Sequence, residues 1–275
     1  MSHASEIVST QPSSELLEFA DAFQLISLSI GEEKQYRLLT DFVNAEEIAR
    51  QLAHQAKIQA DMDVRTQGTY FISSFSWYLA EVMSLLDLNS LSLEKTWASL
   101  AIKTDLVSAV HDGIPYHYVR YRWQLPELPI IYEQQDALVV GQRFITYLTP
   151  FIDEVRQQTG MAKGALWRLV TDAITASYLS TGKKLAKVRE AMERASAIIN
   201  ETGGPLANRK WHFKEYSVDE DASPNGQRLS DWFRVRGGCC RYYTVSGGEY
   251  CSTCIHLPEH EREERLEKFL SNLLA

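Results

Sequence analysis

All four cysteines of this 275-residue chain fall within sixteen residues, as Cys239-Cys240, Cys251 and Cys254, spaced C-C-x10-C-x2-C. Thiolates are soft ligands that select zinc, copper(I) or iron–sulfur clusters, and a shell of four cysteines suits structural zinc and iron–sulfur clusters alike. Cys251 and Cys254 have the C-x-x-C spacing in which one turn carries two sulfurs to one metal. Cys239 and Cys240 are vicinal, and neighbouring side chains of an extended chain point to opposite faces. Both reach one centre only if the backbone turns, and Gly237-Gly238 supplies the freedom for that turn. A redox-active vicinal disulfide is a third reading, but it leaves Cys251 and Cys254 without a role.

The spacing resembles the C-terminal motif of ferric siderophore reductases of the FhuF type, in which C-C-x10-C-x2-C holds a [2Fe-2S] cluster. The resemblance carries the ligand set onto Cys239, Cys240, Cys251 and Cys254. Two positions differ. Arg236-Gly237-Gly238 stands where the family often has a basic pair and a serine, and Ile255 stands where it often has proline. Upstream, Leu166-Trp167 resembles a Leu-Trp pair that precedes a long helix in the reductases; read alone, the pair belongs to a helix core. The resemblance implies one-electron reduction of a Fe(III)-siderophore and release of Fe(II). The rivals are a [2Fe-2S] electron carrier without its own substrate and a zinc-stabilised binding module.

Basic residues surround the first cysteine pair. Arg234, Arg236 and Arg241 either attract an anionic chelate and raise the cluster potential or compensate the thiolates. Tyr242, Tyr243 and Tyr250 pack around the site or stack on a chelate. Four cysteines leave His212 and His256 no place as ligands, although His256 could donate to a sulfide. Arg120 and Arg122 share one face of a predicted strand with Tyr116 and Tyr118, a remote place to grip a siderophore. No G-x-G-x-x-G follows a strand, so the electron comes from outside, from a ferredoxin or a flavin-dependent reductase.

These residues sit in a chain of ordinary globular composition, 45% hydrophobic and 23% charged. The net charge of −8 argues against nucleic-acid binding. No transmembrane span or signal peptide is visible, which predicts a cytoplasmic protein, with peripheral association at the inner membrane face left open.

The patterning predicts an α+β fold: a predominantly helical body with a small sheet, and a C-terminal iron–sulfur lobe. Residues 1–204 form the substrate-binding body, divided near residue 90, and residues 205–275 form the cluster lobe. Helices are expected after Pro12, from Asn44 to about Ala60, from Tyr70 to Leu88, from Asp136 to Gln158 with a break or kink at Pro150, from Met161 to Leu179 and from Lys183 to Asn200. Strands are expected within Leu91 to Lys103 and over Tyr116 to Trp123. Gly203-Gly204-Pro205 marks the main internal boundary. An acidic loop spans Asp219 to Gly226, and a terminal helix after Pro258 docks through Leu266, Phe269, Leu270, Leu273 and Leu274.

Overall fold

In the computed structural model, residues 27–30, 35–59, 61–91, 99–111, 113–125, 135–218 and 228–272 are described. The helix predicted after Pro12, the Asp219–Gly226 loop, Trp97, Leu273 and Leu274 lie outside the described residues. The elements run β1 (Ser27–Ile30), β2 (Arg37–Leu38), α1 (Leu39–Phe42), α2 (Ala45–Ile58), α3 (Val64–Leu88), β3 (Ala101–His111), β4 (Ile114–Leu125), α4 (Ala137–Thr159), α5 (Lys163–Lys184), α6 (Val188–Thr202), β5 (His212–Val218), β6 (Leu229–Val235) and α7 (Glu259–Asn272). The fold is α+β and predominantly helical. One sheet has the order β1-β4-β3-β2, with β1 and β4 parallel; the other is the β5-β6 hairpin.

Local chemistry explains the well-placed elements. Asn44 caps α2 by accepting from the Glu47 amide at 2.9 Å, and Asp63 caps α3 by accepting from the Thr66 amide at 2.6 Å. On β4 the alternation is as expected: Val119, Tyr121 and Trp123 are buried, whereas Tyr116 and Arg120 are exposed. Phe75 of α3 packs its ring 6.0 Å from both Tyr121 and Trp123, joining sheet to helices. Helices α3 and α5 lie at the centre of the main core, which includes Phe71, Leu79, Leu166, Trp167, Val170 and Ile174.

Three expectations shift. The strand expected within Leu91–Lys103 runs over Ala101–His111, because its antiparallel register with β4 pairs Ala101 with Gln124 and His111 with Ile114. Helix α4 continues through Pro150 without a break. Pro150 and Thr146, whose carbonyl loses its helical donor, both lie on the exposed face, so little is lost there. Lys183 and Lys184 end α5 instead of opening the next helix. The turn after them closes through Leu185 N–Thr181 O (2.9 Å) and Lys187 N–Gly182 O (2.7 Å), with Ala186 at φ 55°. A side chain at Gly182 would meet the Ala191 methyl of α6, so the glycine inside the helix admits the close crossing.

The C-terminal segment is bound to this body. Leu206 enters the main core, and Trp211 and Phe213 pack against it. A second small core forms from Tyr216, Val218, Leu266 and Leu270, which docks α7 on the β5–β6 hairpin. Leu266 and Leu270 thus dock as expected, while Phe269 stays 49% exposed and only edges onto Phe233. Lys183 joins α5 to Asp231 of β6 at 2.5 Å. Among the described residues, no helix is long and apolar enough to cross a membrane.

Candidate iron–sulfur site

The cysteine loop follows β6 directly and rests on two helices of the body. From α5, Asp172 accepts from the Gly237 amide at 2.8 Å and from the Gly238 amide at 2.9 Å. From the first turns of α3, the Thr69 hydroxyl donates to the Cys240 carbonyl at 2.9 Å, and Thr66 shares a 3.0 Å hydroxyl contact with Thr244. Arg241 reaches Asp63 at 2.9 Å and Thr66 at 3.1 Å. Gln59 and Asp61, between α2 and α3, bond the Ser246 carbonyl and amide.

The turn that the vicinal pair requires lies after the pair, three residues beyond Gly238. Neither Gly237 nor Gly238 has positive φ; Arg241 does, at 62°, and leads into a short 3₁₀ turn at Tyr242–Thr244. The glycines serve close approach instead. A Cβ at Gly238 would sit 3.0 Å from the Arg168 carbonyl carbon and 3.1 Å from Asp172 Oδ2, so only a bare backbone seats flat on α5. The second pair behaves as its spacing predicts: the Cys254 amide bonds the Cys251 carbonyl at 2.8 Å, a single turn.

The four thiols act on one another electrostatically, but among the described residues no three His, Cys, Asp or Glu side chains are arranged to hold a metal ion. Cys240 and Cys251 are hydrogen-bonded to each other, and the charges of Cys240 and Cys254 act on both Cys239 and Cys251. The bond from Cys251, with Arg236 beside it, holds Cys240 down at about 5; donating that bond, together with burial, pushes Cys251 up. Burial pushes Cys239 up as well, against the Arg241 amide 3.4 Å from its sulfur. Cys254 is buried and the other three are partly buried.

Two largely buried arginines stand behind the thiols. Arg236 places Nη1 3.8 Å from Cys251 Sγ and Nε 3.4 Å from Asp172 Oδ2. Burial holds the Arg234 guanidinium down at about 10, with its Nη1 3.5 Å from Asp172 and its Nε without a hydrogen-bond partner. Four soft sulfurs backed by buried cations, one with an unsatisfied N–H, fit an anionic iron–sulfur centre.

The other expected residues lie as follows. Arg241 faces Asp63 and is partly exposed. Tyr243, Tyr250 and His256 form a mutual ring cluster, with centroids 5.1 to 5.9 Å apart, at the exposed edge of the loop. Tyr242 stacks toward Tyr70 of α3, whose phenol is raised by burial and by the nearby Cys240 charge. His212 opens β5 on an exposed position. Arg120 donates to the Tyr118 hydroxyl at 2.8 Å, and Arg122 pairs with Asp105, all on the β3–β4 sheet. Sequence reasoning missed Asp172, Asp63, Thr66 and Thr69. The signal for Asp172 was a single acid inside the apolar run from Leu169 to Leu179.

Fold and site together show a cysteine-bearing loop docked on two helices of a helical body. Residues 236–254 match the family described as the FhuF 2Fe-2S C-terminal domain, so the cofactor is a [2Fe-2S] cluster. No curated protein matches the chain.

Proposed function

We propose that the chain is a ferric siderophore reductase, in which Cys239, Cys240, Cys251 and Cys254 hold the [2Fe-2S] cluster. The observation that carries this reading is the placement of all four cysteines, with the C-C-x10-C-x2-C spacing, inside the segment matched to that domain. When bound, such a cluster supplies one-electron transfer, the number of electrons that separates Fe(III) from Fe(II). The protein's own residues do the rest. Arg236 faces the Cys240–Cys251 pair and offsets its charge, while Asp172, Thr69 and Arg241 fix the loop that carries the thiols.

Reduction explains iron release. Siderophores bind Fe(III) through hard, anionic oxygens, which hold the softer, less charged Fe(II) much more weakly. The substrate is a ferric chelate that approaches the exposed edge of the loop, where Tyr243 and Tyr250 are 38% and 41% accessible. The two arginines that precede the first cysteine, Arg234 and Arg236, are largely buried and face Asp172, so they act on the centre more than on the chelate. Arg241, and Arg120 with Arg122 on the sheet, remain the outward cations for chelate capture. The electron donor is an external ferredoxin or flavin-dependent reductase.

The test is to reduce the protein anaerobically and mix it with hydroxamate, citrate-type and catecholate ferric chelates. Rapid return of the oxidised visible absorption with at least one class is expected, and the fastest identifies the substrate. Failure of every chelate to reoxidise the protein would leave an electron carrier as the better reading.

A further inference from the structure

The side chain that most distinguishes this site from a bare set of thiols is Asp172. It lies within α5, is 3% exposed, and spends both carboxylate oxygens on the cysteine loop. Oδ1 accepts from the Gly237 amide, and Oδ2 accepts from the Gly238 amide and from Arg236 Nε. Arg236 is itself only 15% exposed, and its far end donates to Cys251 at 3.8 Å and hydrogen-bonds Cys240 as well. The guanidinium is a planar fork, so a carboxylate held at one edge dictates where the other edge points. Partners behind a metal's ligands orient those ligands and tune the centre, and positive charge with hydrogen bonds to sulfur favours the reduced state.

We propose that Asp172 is a positioning residue: it aims the Arg236 guanidinium at the Cys240–Cys251 pair and through it raises the reduction potential of the centre. The proposal rests on the cluster reading above and is independent of which chelate is reduced. A merely structural Asp172 would anchor the Gly237–Gly238 backbone and leave the effect of Arg236 unchanged when removed. A simple negative charge would act on the potential independently of Arg236.

A double-mutant cycle on the full, cluster-loaded chain separates these roles. The midpoint potential is measured by anaerobic spectroelectrochemical titration for wild type, Arg236→Gln, Asp172→Asn and the double variant. Arg236→Gln is expected to lower the equilibrium constant for reduction about tenfold, which is about 59 mV for one electron. In the Asp172→Asn background the same substitution is expected to change it less than about twofold, because residues acting through one another are not additive. An equal shift in both backgrounds overturns the proposal.

Should Asp172→Asn fail to load the cluster, Arg236→Lys decides the question. An ammonium keeps the charge but lacks the fork that spans carboxylate and sulfurs, so its potential is expected to fall close to that of Arg236→Gln. A lysine variant at the wild-type potential overturns the proposal. A wild-type chain that takes up no [2Fe-2S] cluster overturns the reading of the cysteines and this inference together; a loaded cluster indifferent to Arg236 overturns the inference alone.

Discussion

Two buried aspartates of the body are each gripped by arginine, and they end differently. Asp87, on α3, accepts from Arg194 Nε at 2.7 Å and Nη2 at 2.8 Å and from the Tyr178 hydroxyl at 2.8 Å. Arg194 uses a further bond on the Gln135 carbonyl, so the network closes on backbone and ties α3, α5 and α6 together. Burial, and then the Asp87 charge, push the Tyr178 phenol well above its ordinary value, so it stays a neutral donor. Asp172, six residues before Tyr178 on α5, grips two loop amides and an arginine whose remaining donors end on sulfur. The same acid–arginine chemistry thus serves packing where it closes on itself and tuning where it is left open toward a ligand.

That contrast can be broken from either side. The largest effect is expected on the closed network. Arg194→Ala strands a buried carboxylate and should cost about 3–5 kcal/mol of stability. For a chain of this size that is a fall in melting temperature on the order of 10 °C, seen by circular dichroism. The reduction potential and visible spectrum of the folded, loaded protein should not move. A shifted potential would mean that the Asp87 network also reaches the cluster.

A smaller effect is expected at the open network. Gly238→Ala introduces a methyl group against the α5 backbone and Asp172, with neighbours at 3.0–3.1 Å. Overpacking of this kind costs about 1–3 kcal/mol. Because the residue adjoins Cys239, the larger consequence should be a lowered iron and sulfide content per chain, measured chemically after reconstitution, with the body still folded. Full cluster loading in this variant would show that the loop does not depend on its seat against α5.

The sequence made one half of this picture readable and hid the other. Cys239, Cys240, Cys251 and Cys254 announce themselves because ligand chemistry requires particular residue types at short spacing. Asn44 was legible as a cap and Val119, Tyr121 and Trp123 as a buried strand face, since both signals are local. Asp172 was not, because its partners lie 65 and 66 residues away and nothing near it marks a loop-binding role. Gly237-Gly238 was read as a source of backbone freedom, whereas the positive φ sits at Arg241 and the glycines are needed for close approach to α5. Only the helix that covers them could reveal that reason. Helix α5 runs past the expected Leu179 for a similar cause: the place of Gly182 inside it makes sense only once α6 is packed against it.

The most direct test counts iron. The loaded protein is reduced anaerobically by one electron per cluster, freed of excess reductant and mixed with the ferric chelate that reoxidises it fastest, with a chromogenic ferrous chelator present. One Fe(II) trapped for each cluster reoxidised is the expected result, and Cys251→Ser, lacking the cluster, should release none. Equal Fe(II) from Cys251→Ser, or a cluster that stays reduced beside its chelate, would contradict the account.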